Sequence, residues 1–305
     1  MIKEIKNGDI TWVNIVAPNK SSVHFLKANY HIAPNVLKDF IPSIKRPKVE
    51  DYGEYLFIVI HFPIFNPEAR ATTSTELDLI LFRNTLITSH CSYLPELKRV
   101  FNKCEKEIEV KNYYMQKDAV CMLYLILDKL IDTRMPMLDH IDDHIDQIEA
   151  KMFIGDERKL LQEIAYVKHD VIGFRKSLKP QRTVLESLSH FTPKISPNDY
   201  RREITEVIGS NIKVWNTLEN YKEMIEALEQ TNESIFSHRL NDTMKILTAF
   251  SVMVLPLTLI ASIFGMNTVM GMPFMQQDHG FELILLMMVC VSLFSFFFFK
   301  YKKWL

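Results

Sequence analysis

Hydrophobic and polar positions divide this chain into three stretches of different period. In the first third the apolar residues fall in short runs. Residues 10–16 and 55–60 are rich in β-branched and aromatic side chains, and 76–82 with 85–89 predict two strands joined by a turn at Arg83-Asn84. Ser21-Ser22 opens a predicted helix and Pro34 starts another short one. Residues 1–115 therefore read as a compact α+β domain, a sheet with helices packed on it. From 116 to 197 the period changes to that of helices. Leu127, Leu130, Ile131, Leu138, Ile141, Ile145 and Ile148 recur three or four apart and predict a helix over 122–154. The same pattern predicts one over 160–178 that Pro180 ends, and 192–198, with two prolines, predicts a break.

The third stretch is the longest. Ile208, Ile212, Trp215, Leu218, Tyr221, Ile225, Leu228 and Ile235 keep the helical period, and no proline follows until Pro256. A helix running unbroken over 199–266 would be roughly 100 Å long at about 1.5 Å per residue. That is too long for a soluble core, and it reads as a stalk (198–245) that continues into a bilayer. Residues 246–266 contain no Asp, Glu, Lys or Arg, and neither do 283–299. Each is long enough to cross a hydrocarbon core, giving predicted spans at 246–266 and 281–299, with Glu282 near the outer edge of the second. The loop 267–280 holds no Lys or Arg. Arg239 and Lys245 precede the first span, and Lys300, Lys302 and Lys303 lie in the basic tail 300–305. The positive-inside rule then predicts a cell-membrane protein with both termini cytoplasmic and the loop outside.

Composition narrows the function. With 36 basic and 37 acidic residues the net charge is −1, so no overall field points to nucleic acid. No glycine-rich loop of the GxxxxGK kind occurs, so nothing suggests a nucleotide-driven pump. Cys91, Cys104, Cys121 and Cys290 form no CxxC pair and read as reduced thiols. The charged N-terminus lacks the apolar core of a cleavable signal peptide, which leaves membrane insertion to the C-terminal segments. No nucleophile–base pair is visible, and no enzyme or cofactor is predicted.

The first span carries polar residues at regular intervals. Asn241, Thr248, Ser251, Leu255, Thr258 and Ser262 stand three, four or seven apart and share one face, which ends at Gly265 and Asn267. A water-lined pore wall needs such a stripe. Hydroxyls that bond back to their own helix and pack against a neighbour produce the same pattern, and both readings stand at this point. Two helices cannot enclose a pore, so conduction requires an oligomer.

Gly265-Met266-Asn267, at the outer end of the first of two C-terminal spans, resembles the Gly-Met-Asn signature of the CorA family of divalent cation channels. Arg46-Pro47-Lys48 before a β-rich run ending in His61-Phe62-Pro63 is similar to that family's N-terminal domain. Residues 241–248 and 256–261 resemble its pore helix, and 300–305 its basic C-terminus. The resemblance implies a funnel-shaped homopentamer in the lipid bilayer, with the first spans lining the pore and the second forming an outer ring. It places Gly265, Met266 and Asn267 at a selectivity mouth and makes Asn267 the group that grips the hydrated metal. Thr258 would form a further polar ring, and Met244, Leu247 and Leu255 would form apolar constrictions. Magnesium dehydrates reluctantly, so neutral oxygen ligands suit its hydration shell. A divalent ion gains about 4.6 kcal/mol per 100 mV on moving to a negative interior, so passive uptake suffices.

The sequence departs from the family pattern in three places. Thr268 stands where an aromatic residue usually follows the signature. The loop reads Met272-Pro273-Phe274 where Met-Pro-Glu is common, leaving Asp278 and Glu282 as the nearby acids. Gln230 occupies a stalk position where relatives often carry a regulatory aspartate. Glu226, Glu229 and Glu233, within a turn of Gln230, are candidates to complete a regulatory cation site there. His140 and His144, four apart among acids, have a spacing that can bind zinc, but the solvated face of an acidic helix explains them as well. His61 and His90 read as structural residues at strand ends. The resulting expectation is potential-driven magnesium uptake, with cobalt and nickel as further cargo. A zinc transporter of the same fold and a non-conducting membrane-anchored scaffold or sensor are the alternatives.

Overall fold

The computed structural model describes residues 1–40, 45–91, 94–153, 157–266, 273–274, 278–302 and 304. It separates into two compact units, Met1–Glu229 and Gln230–Leu305.

The first unit is built on a six-stranded sheet. Its strands are β1 (Ile2–Asn7), β2 (Ile10–Val16), β3 (Lys48–Asp51), β4 (Leu56–Asn66), β5 (Ala71–Leu81) and β6 (Thr85–His90), in the order β1-β2-β6-β5-β4-β3. Neighbours are antiparallel except β2 and β6, which run parallel with Thr11 opposite Thr85. Helices cover both faces, which is why the central strands read as nearly continuous apolar runs and not as alternating ones. Leu56, Ile58 and Ile60 point to one face. There they join Trp12 and residues of α3 (Pro95–Lys106), α5 (Ala119–Asp132) and α8 (Gln181–Ile195) in the larger core. Phe57 and Val59 point to the other, against α1 (Lys20–Asn29) and α2 (Pro34–Asp39). Trp12 is fully buried, donates its Nε1–H to Thr88 Oγ1 at 3.2 Å and meets Phe101 edge-on at 4.9 Å.

Several local signals become specific contacts. Asn19 caps α1 by accepting from the Ser22 N–H at 3.0 Å, so the helix begins one residue before the predicted Ser21. The helix predicted over 122–154 is two helices, α5 and α6 (Met135–Lys151). Pro136 lies in the first turn of α6, where its missing N–H costs nothing, whereas within a continuous helix it would remove a hydrogen bond and clash. α4 (Ile108–Tyr114) and α7 (Glu157–Leu178) complete the unit's shorter helices. The predicted break over 192–198 begins later than expected. α8 runs to Ile195 and carries Pro193 in its last turn, and Ser196 is extended. Asp118, the cap of α5, accepts from Cys121 N–H at 2.9 Å, Ser196 Oγ at 2.6 Å and Asn198 Nδ2 at 2.9 Å. This pins the segment that leads into α9 (Arg201–Phe264), a helix of 64 residues.

The second unit comprises α9 from Gln230 onward and α10 (Gly280–Tyr301). Both helices are long and apolar enough to cross a membrane, and their most apolar windows are almost entirely exposed. Leu247, Phe250, Leu255, Leu259, Leu286 and Phe294 are all bare in the single chain. Apolar exposure on this scale needs lipid or other copies of the chain to cover it.

Candidate ion pathway

The proposed pore face lies on the part of α9 within the second unit. At 100° per residue Asn241, Met244, Leu247, Thr248, Ser251, Leu255, Thr258, Ser262, Gly265 and Met266 fall in a sector about 120° wide. The structure places all ten on the exposed surface. Thr248 donates its hydroxyl to Met244 O at 2.7 Å, Ser251 to Leu247 O at 2.9 Å and Thr258 to Leu255 O at 2.8 Å.

Back-bonding and pore lining are therefore compatible here. Each hydroxyl hydrogen is spent on the helix's own carbonyl, so the oxygen lone pairs remain for whatever faces the helix. A hydrated cation presents water hydrogens outward, and such acceptors suit it. Pro256, inside the same helix, has no N–H to give the carbonyl of Val252. That leaves one more acceptor beside the stripe, a feature legible from the proline alone and absent from the sequence reading.

At the end of α9, Gly265 N–H donates to Ala261 O at 2.9 Å and Met266 N–H to Ile263 O at 3.3 Å. A Cβ on Gly265 would come within 3.0 Å of Ala261 O, tighter than ordinary van der Waals contact. Asn267 and Thr268 lie outside the described residues. Near the other end of the stripe, Lys245 bonds Asp242 at 2.9 Å and holds that carboxyl below its usual range. At the start of α10, His279 Nδ1 stands 3.1 Å from Glu282 Oε2.

Two of the candidate regulatory acids are already paired with lysines. Glu229 is paired with Lys168 at 2.6 Å and Glu226 with Lys222 at 3.6 Å, while Gln230 and Glu233 are exposed. His61 faces Glu76 at 3.6 Å and His90 is buried, as structural histidines would be. All four cysteines are free.

The profile of the family described as CorA-like Mg2+ transporter protein matches residues 7–302. The chain belongs to that family. It is accordingly a divalent cation transporter and not an enzyme. The cobalt/magnesium transport protein CorA of Thermotoga maritima is 29% identical over 97% of this chain and 83% of its own length. The divalent cation transporter CmaX of Pseudomonas aeruginosa is 26% identical over 85% of this chain and 77% of its own length. Among solved structures, the complete CorA magnesium transporter of Methanocaldococcus jannaschii superposes with a TM-score of 0.85 at 21% identity. It covers 99% of this chain and 93% of its own. That likeness establishes the CorA fold: a soluble α/β domain, a long helix and a C-terminal apolar helix.

Proposed function

We propose that this CorA-family transporter is a passive channel of the cell membrane that admits magnesium along the membrane potential, with cobalt and nickel as further cargo. The single observation that carries the reading is the hydroxyl stripe. Thr248, Ser251 and Thr258 turn acceptor oxygens outward along a span that is otherwise apolar. Lipid would leave those oxygens without donors, and a hydrated ion would supply them. The names of the Thermotoga and Methanocaldococcus relatives, both cobalt/magnesium transport proteins, support the choice of ions.

On this reading five copies assemble, 198–245 form the stalk, 246–266 line the pore and 281–299 lie outside them. Gly265, Met266 and Asn267 surround the mouth. The test is reconstitution in vesicles under a fixed potential, with magnesium, cobalt, nickel and zinc compared. Potential-driven magnesium flux is expected. Flux of zinc alone, or coupling to a proton gradient instead of the potential, would replace the reading with a zinc transporter; no flux of any ion would leave a scaffold. Labelling by a membrane-impermeant thiol reagent checks the orientation. A cysteine at position 277 should react from outside and one at position 302 should not.

Closure by internal magnesium is part of the same proposal. Gln230 cannot carry the charge that an aspartate would, and Glu226 and Glu229 are already engaged by lysines. Closure should therefore need more magnesium than in aspartate-bearing relatives, with Glu233 the acid left to contribute. Gln230→Asp is expected to shift closure of the reconstituted channel to lower magnesium; an unchanged dependence would remove position 230 from the latch.

A further inference from the structure

The pair His140 and His144 takes on a second aspect once α7 is placed beside it. The two imidazoles stand one turn apart on α6 with ring centroids 4.3 Å from each other, and Phe65 meets His140 edge-on at 5.2 Å. They border a cavity of about 20 Å³, and Asp170 of α7 forms part of its wall. That is room for roughly one water molecule or one ion. Asp170 is only 6% exposed. Its carboxylate lies beside Thr72 of β5, and Oδ1 has no hydrogen-bond partner among the described residues.

Asp170 cannot easily withdraw. Gly173, three residues along α7, lies so close to the Thr72 carbonyl that a Cβ there would collide with it. α7 is thus held against β5, and the carboxylate is held at the cavity. Arg70 also reaches the cavity wall, but its charge is taken up by Glu163 at 2.6 Å and its plane lies 4.4 Å from the Tyr166 ring centroid.

We infer that His140, His144 and Asp170 form a site in the N-terminal unit for a first-row transition-metal cation of the Zn2+, Co2+ and Ni2+ class. Two imidazoles four apart on a helix make a chelate that these borderline-soft ions favour, and a carboxylate completes a common donor set. Magnesium requires oxygen ligands at near-octahedral geometry and is not held by such a pair. Among the described residues no three imidazole, thiol or carboxylate groups already converge on one point. The ion must therefore turn the two rings toward the fixed carboxylate, a rotamer change of exposed and half-buried side chains. The site does not depend on the pore reading. It would let the N-terminal unit distinguish such ions from magnesium.

The test uses the full-length protein in detergent, stripped with a chelator and titrated with Co2+ in the presence of excess Mg2+. Wild type is expected to show visible absorption bands of nitrogen-ligated Co2+ at one ion per chain. In the His140→Ala/His144→Ala variant that ion should be lost, and in Asp170→Asn its binding should weaken by more than about tenfold, the least that even outer-shell changes cost. Ions held at a pore mouth by their hydration shell contribute no such bands, so loss of flux and loss of this signal are separate results. Thermal melts establish that each variant is folded, and the histidine variant, altered outside the core, carries the decision if Asp170→Asn unfolds. Equal Co2+ spectra and affinities in wild type and the histidine variant, or displacement of Co2+ by millimolar-range Mg2+, would overturn the site.

Discussion

Phe57 and Phe250 are the same residue under opposite conditions. Phe57 is completely buried in the N-terminal unit, while Phe250 on α9 is 66% exposed. The hydroxyls differ in the same way. Thr88 lies inside the sheet with Trp12 and Asn14 as partners, whereas among the described residues Thr248 and Thr258 bond to their own helix and face outward. The first unit finds its partners within the chain, and its polar groups answer one another. The second has its apolar surface and its oxygens turned toward something outside the chain. Substitutions in the first should therefore be read in stability, and those in the second in assembly and transport.

The largest expected effect is at the proposed mouth. Asn267→Ala should reduce magnesium uptake in vesicles to background while the protein still elutes as the same oligomer, since an amide offered to an ion contributes little to folding. Uptake at wild-type rate would detach the signature from selectivity and break the contrast. Next comes the phenylalanine pair. Phe57→Ala should cost about 3–5 kcal/mol through the cavity it leaves. Phe250→Ala should leave thermal stability in detergent nearly unchanged, because detergent already covers that surface. Calorimetry of the two variants measures the difference directly.

Asp118→Asn probes the polar side of the first unit and should destabilise it by about 1–3 kcal/mol at pH 7. Burial alone would raise this carboxyl, but hydrogen bonds from Ser196, the Cys121 N–H and Asn198 outweigh it and lower its pKa. A depressed folded-state pKa contributes stability above the unfolded value of about 3.9 and loses it as pH falls through the folded value. The gap between wild type and variant should accordingly narrow below about pH 4. A gap that widens on acidification would show that the charge is not what the network uses. The smallest effect concerns one hydroxyl. Thr258→Val keeps the shape and removes the acceptor, so flux should fall a few-fold with stability unaltered; unchanged flux would reduce Thr258 to helix packing.

What the sequence made legible follows the same contrast. β2 begins and ends where its apolar run does, and the charge-free stretches mark the two apolar helices because lipid and protein interior both exclude charge. The two edge strands were hidden by the feature that protects them. Lys3, Glu4 and Lys6 in β1, and Lys48, Glu50 and Asp51 in β3, discourage pairing with other chains and also erase the apolar pattern. A turn signal was there to find: Gly8, at φ 59°, joins β1 to β2 right after Asn7. The run over 55–60 marks only part of β4, which continues to Asn66 with Pro63 opposite Ser74. At the candidate pore the stripe was visible but the direction of its hydroxyls was not, since periodicity fixes a face and says nothing of a hydrogen. Asp170 could not have been joined to His140 and His144 by spacing, because it lies on a different helix.

The lone parallel pairing in this sheet, β2 with β6, also orders events in time. The meander β4-β5-β6 closes through neighbours in sequence, whereas Thr11 must wait for Thr85 before it has anything to pair with. Contacts of such long separation are slow to form because the chain entropy of closure is spent first. The amino-terminal hairpin is thus expected to join last, both on the ribosome and in refolding, and pulsed hydrogen exchange should find the amides of Trp12 and Val13 protected after those of Ile80 and Ile87. Until then Lys3, Glu4 and Lys6 make it a charged ribbon that attracts few partners.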